Sequence, residues 1–166
     1  MNLLREKRRL LPLGAYLANI DSASLNQNNF MDAFGNGVCL DGTIALAVNP
    51  TAADVVRIMK IPSGTKVSAI IGGNTDMDTN GSPTIVFSLG YAPVVPADGP
   101  TANAAYFQAA GDTSWQAANG GKVYSNFAAI TFERDVYLTA TIGTASATFA
   151  AGSANFSVHG EARGTK

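Results

Sequence analysis

From Val38 onward the sequence is a train of short runs in which apolar and polar residues alternate, each run closed by turn formers. Period-two alternation places successive side chains on opposite faces of an extended chain, so such runs form half-buried strands. LDGTIALAV, DVVRIMKIP, KVSAIIGG and TIVFSLGY all read this way, being rich in β-branched and aromatic residues. In the last, Ile85, Phe87, Leu89 and Tyr91 share one face, opposite Thr84, Val86, Ser88 and Gly90.

The second half repeats the style. AITFE directs Ile130 and Phe132 inward, Arg134-Asp135 supplies a tight turn, and VYLTATIGT follows. The last run, ANFSVHGEAR, sets Phe156 and Val158 against Asn155, Ser157, His159 and Glu161. NAAYFQAA reads as strand or helical turn, GKVYS is short, and GDTSWQAANGG is loop around Trp115. Residues 92–102, with Pro93, Pro96 and Pro100, are expected to project as a loop, because proline cannot donate to a sheet ladder. About eight short strands with almost no helix define an all-β fold, an antiparallel β-sandwich of jelly-roll type. No repeat of solenoid length is visible.

The first 37 residues are different. Arg5, Lys7, Arg8 and Arg9 against Glu6 give the first ten residues +3, which leaves −4 for the rest of a chain whose net charge is −1. Leu3, Leu4, Lys7, Leu10 and Leu11 fit a short amphipathic helix that stops before Pro12. The opening resembles a signal peptide, but Pro12 and Gly14 interrupt its apolar run and no small-x-small cleavage site follows. AYLANIDSASLNQNNFMDAFGNG then runs to Gly37 with little periodicity and reads as extended. The chain therefore divides into an N-terminal arm, 1–37, and a sandwich domain, 38–166.

Charged residues make up only 14% of the chain, below the usual quarter, and Thr, Ser, Asn and Gly fill the polar positions. Such a surface suits life against other proteins. A net charge of −1 lacks the basic footprint of general nucleic-acid binding. No apolar run reaches the ~18–20 residues of a membrane span. Neither nucleic acid nor membrane is expected as a partner. The arm's four cations are few for phosphate neutralisation, so an acidic protein surface is the expected contact.

Asp76, Asp78, Asn80 and Gly81 match the opening of a D-x-[DN]-x-[DN]-G calcium loop. That loop needs a bidentate Glu at position 12, and counting from Asp76 the position holds Phe87. Both flanks alternate as strands, so the stretch is read as a hairpin turn, with no metal and no cofactor. The single cysteine, Cys39, makes no internal disulfide and reads as a small buried apolar residue. The single histidine, His159, lies on a polar strand face with no motif joining it to Cys39. No nucleophile elbow and no phosphate loop occurs, so no catalytic residue is assigned. Tyr106, Phe107, Trp115 and Tyr124 lie in or near expected loops, where they would stack on sugars, fill the ends of the sandwich or fill a subunit interface.

KIPSGTKVSAIIGG, the strand ending LGY, and the closing VHGEARGT together resemble small structural proteins of tailed bacteriophages, over roughly residues 54–92 and 128–166. The resemblance is one of strand and turn texture. It implies a virion component made in the host cytoplasm and carried on the capsid surface, most like a decoration or cement protein. The major capsid protein would be its partner, and it would self-associate, most often as a trimer. Leu3, Leu4, Arg5, Lys7, Arg8, Arg9, Leu10, Leu11, Tyr16 and Trp115 would then meet that partner. A head–tail connector, a tail or fibre-base protein, and a carbohydrate-binding module or adhesin are the alternatives.

Overall fold

The computed structural model describes residues 19–21 and 36–164. Ten strands run in chain order: β1 (Asn19–Asp21), β2 (Gly37–Leu46), β3 (Val55–Ile61), β4 (Thr65–Asn74), β5 (Val86–Pro93), β6 (Asn103–Asp112), β7 (Asn119–Tyr124), β8 (Ile130–Thr131), β9 (Val136–Thr144) and β10 (Gly152–Ala162). A single turn of 3-10 helix, Ser114–Gln116, lies between β6 and β7.

The pairings are nested. β5 pairs with β6, β4 with β7, β3 with β9 and β2 with β10, all antiparallel. Nested pairing describes one long antiparallel ribbon, and rolling it brings β10 beside β4 and β9 beside β5. The result is two sheets, β2-β10-β4-β7 and β3-β9-β5-β6, which is the jelly-roll order. Two short strands extend it: β8 pairs with β4, and β1 adds to β3 in parallel. The segment read as an extended arm thus contributes a strand. The helix expected near Leu3–Leu11, and Tyr16, lie outside the described residues.

Between the sheets the inward residues meet. β2 sends in Leu40, Ile44 and Leu46, and β10 sends in Phe156 and Val158. They face Val56, Ile61, Phe87, Leu89, Leu138 and Ile142 from the other sheet. At β3 the alternation breaks. A register shift between Arg57 and Met59 lets Ile58 and Met59 both be buried, as a bulge does. The ambiguous NAAYFQAA is strand β6, and the proline-rich stretch starts later than expected, since Ala92 and Pro93 still pair with Tyr137 and Val136.

Connections alternate between two ends. Loops 47–54, 75–85, 113–118 and 145–151 form the apical end, while 62–64, 94–102 and 125–135 form the base. The acidic stretch Asp76–Gly81 is therefore not a hairpin turn. It carries the chain from β4 in one sheet to β5 in the other.

Candidate functional site

The apical end is organised around one carboxylate. Asp78 is 1% exposed. Its Oδ2 accepts from the backbone N–H of Thr84 (2.7 Å), Ile85 (3.1 Å) and Ala147 (3.0 Å), and its Oδ1 from Thr148 (3.0 Å). Burial works to raise the carboxyl's pKa. The amides of Thr148, Thr84, Ala147 and Ile85 outweigh it and hold the group well below the usual carboxylate range. Around this centre the D-x-D-x-N spacing is used by side chains that each accept from the amide two residues on. Asp76 takes Asp78 N, Asp78 takes Asn80 N and Asn80 takes Ser82 N. These are Asx turns, and they account for the calcium-loop-like spacing without a cation.

The same centre ties loops together. Thr79 N donates to Thr148 O at 3.0 Å, and Ala150 N to Met77 O at 3.2 Å. Asn49 grips loop 145–151 twice, donating to Ser146 O and accepting from Ser146 N. Asp54, itself buried, accepts from Thr51 N at 2.8 Å. All the carboxylates of the apical loops are thus engaged with backbone. The surface these loops present is mostly short uncharged side chains, among them Val48, Ala52, Thr79, Ser82 and Thr148, with Asp76 partly exposed.

The base is built oppositely. Lys60 pairs with Asp135 at 2.6 Å, Arg163 with Glu161 at 2.9 Å and Lys66 with Glu161 at 3.8 Å. Lys60 and the Ser63 amide hold the Asp135 carboxyl below its ordinary range. Glu133, Arg134 and Asp98 are also exposed there. At the apical end of β6, Asp112 is a further buried carboxylate, bonded to Lys122 Nζ at 2.8 Å and to the Ser114 amide and hydroxyl. Burial raises its pKa, and Lys122 and Ser114 lower it further than burial raises it.

Several residues singled out from sequence sit elsewhere than expected. Trp115 is 1% exposed and stacks on Phe87 with ring centroids 4.2 Å apart, so it is a core residue and not a surface platform. Phe107 and Tyr124 are buried too, and Phe107 joins an edge-on cluster with Tyr91, Tyr106 and Phe127 near the base. Trp115 closes its end of the sandwich from the 3-10 turn between β6 and β7, whereas Phe107 and Tyr124 are buried from the strands themselves. Cys39 is half-exposed on the outer face of β2, flanked by inward Val38 and Leu40, and is not a core residue. It lies opposite His159, while Asp41 beside it bonds Ser157. Among the described residues no group of three metal-ligating side chains forms. The remaining residues named for partner contact lie in the undescribed arm.

The turn motifs that carried the resemblance converge in space. Gly160 of VHGEARGT pairs with Val67 of IPSGTKV, and a Cβ at Gly160 would strike the Lys66 carbonyl. Gly90 of the LGY ending lies under the Asn103 carbonyl, with equally little room. Both glycines are required by close backbone approach, so these motifs specify the roll rather than a reactive site.

No family model matches this chain, and no curated protein matches it by sequence. Solved structures do match its fold. A chain of the capsid of Ralstonia phage GP4 is similar with a TM-score of 0.68 at 19% identity, over 89% of this chain and 99% of that one. A chain of the cyanophage Pam1 capsid asymmetric unit is similar with a TM-score of 0.63 at 22% identity, over 84% and 95%.

Proposed function

We propose that this chain is a structural protein of a tailed-phage virion that binds the outer capsid surface and staples neighbouring shell subunits. The observation that carries the reading is the fold likeness, over 89% and 84% of this chain, to two chains of phage capsids. Nearly the full length of each neighbour is matched, so the likeness extends through both sheets and not through one motif. Its charge-poor surface and backbone-locked loops support the same reading.

Stapling acts through multiplicity. A contact that is weak on one shell subunit becomes strong when several are engaged, because each later contact forms at high effective concentration. Binding only the assembled lattice stabilises that lattice by mass action. Arg5, Lys7, Arg8 and Arg9 would dock electrostatically on a neighbour, with Leu3, Leu4, Leu10 and Leu11 packing beside them. Self-association as a trimer would supply the multiple contacts.

Copy number in purified particles tests the reading. Hundreds of copies, in fixed ratio to the major shell subunit, are expected. A dozen or fewer would move the chain to a portal or tail position, and its absence from particles would overturn a virion role altogether.

A further inference from the structure

We infer that Asn80 is a site of spontaneous covalent modification, at which the folded chain promotes loss of the side-chain amide through a cyclic imide to give aspartate and isoaspartate. The reaction needs only this chain and water. It therefore goes beyond the capsid reading and does not depend on it.

Asn-Gly occurs three times, at Asn36-Gly37, Asn80-Gly81 and Asn119-Gly120. An asparagine before glycine is open to attack on its Cγ by the glycine nitrogen. No Cβ on the next residue blocks the approach, and glycine reaches the backbone angles that closing a five-membered ring requires. The three places are not equivalent. Gly37 opens β2 and pairs with Glu161, while Asn119 and Gly120 open β7, with Asn119 paired to Asn74. A strand ladder holds the backbone extended and resists ring closure. Asn80 and Gly81 lie in the crossover between β4 and β5, outside any strand, and both are exposed. Among the described residues the Gly81 amide has no backbone partner, so the attacking nitrogen is free.

The Asn80 amide is also held at both of its atoms. Its Oδ1 accepts from Ser82 N at 2.9 Å, and its Nδ2 donates to Thr148 Oγ1 at 2.9 Å. A backbone N–H only donates, so Ser82 fixes which way the amide faces. Attack by the Gly81 nitrogen gathers negative charge on Oδ1, where the Ser82 N–H already points, as in an oxyanion hole with one donor. The nitrogen that leaves lies against a hydroxyl that can return a proton to it. Asn119 has only the first of these contacts, from Gly121 N at 3.0 Å.

In the first step the Gly81 nitrogen bonds to Cγ and gives its proton to hydroxide, the Cγ–Nδ2 bond breaks, and ammonia departs. Water then opens the imide. Cleavage of the new Cγ–N bond leaves aspartate at position 80. Cleavage of the original peptide bond leaves isoaspartate, with the main chain rerouted through Cγ. Either product removes the donor to Thr148 and adds a negative charge near Asp78, and isoaspartate also breaks the turn onto Ser82. The join between loops 75–85 and 145–151 thus weakens as the protein ages.

The test follows the full, unmodified chain in mildly alkaline buffer by peptide mass spectrometry, folded and in urea. In the folded chain, Asn80 is expected to convert at least tenfold faster than Asn36 or Asn119, whereas in urea all three convert at similar rates. Two variants, checked by melting temperature, separate the contributions. Gly81→Ala adds a Cβ that meets nothing within 4 Å, at a φ outside the left-handed region, and should slow conversion at position 80 at least tenfold. Thr148→Val keeps the shape without the hydroxyl and should slow it at least threefold. Equal rates at the three places in the folded chain would overturn the inference. So would an Asn80 that converts in urea and survives in the folded chain, because its hydrogen bonds would then protect the amide. A Thr148→Val chain that converts as fast as the unmodified one would overturn the role given to that hydroxyl.

Discussion

The two ends of the sandwich handle carboxylates in opposite ways. At the apex, Asp78 is neutralised by backbone amides from two loops. At the base, Asp135 and Glu161 are met by the side chains of Lys60, Lys66 and Arg163. A carboxylate held by amides is satisfied inside the fold and ties together the loops that supply them. One met by a lysine leaves both charges near water, on side chains free to move. The apical loops are therefore joined through one buried group, whereas the basal charges meet in pairs on the surface.

The largest expected effect breaks the apical centre. Asp78→Asn keeps the shape but replaces one accepting oxygen with a donor facing amide donors, and should destabilise the fold by about 3–5 kcal/mol. Denaturant unfolding measures it, and a loss below ~1 kcal/mol would mean that the loops hold themselves. The centre also makes stability depend on acid. Because the folded Asp78 has a lowered pKa, its contribution is complete above the unfolded value of about 4 and is lost as pH falls through the folded one. Stability of the unmodified chain should fall below about pH 4, and more steeply than in Asp78→Asn.

A smaller effect sharpens the contrast. Lys122→Met strips Asp112 of its cation but leaves the Ser114 bonds, and should cost about 1–3 kcal/mol, since Lys122 is a third exposed and water partly replaces it. Adding Asp112→Asn should recover part of the loss, which a double-mutant cycle measures. Asp78 has no partner side chain whose removal could compensate in this way. The smallest effect is at the base. Lys60→Ala should change stability by less than about 1 kcal/mol, because its pair with Asp135 is a third exposed on each side.

Most of this fold was legible in the sequence because burial enforces alternation. Leu40, Ile44 and Leu46, or Leu138, Ala140 and Ile142, mark their strands without reference to any other element. What alternation does not carry is the placement of loops. Trp115 sits in a stretch that reads as solvent-facing, yet its burial depends on Phe87, a residue 28 positions away that only the roll brings to it. The acidic loop reads as a hairpin turn and is instead the crossover from one sheet to the other. Its partners Ala147 and Thr148 contribute only backbone amides, which leave no trace in side-chain chemistry.

The most direct test is a density map of the intact particle that carries this chain. The account predicts the jelly roll on the outside of the shell, repeated with the lattice and bridging neighbouring shell subunits. A chain found on the inner surface, or at a single vertex, would contradict it.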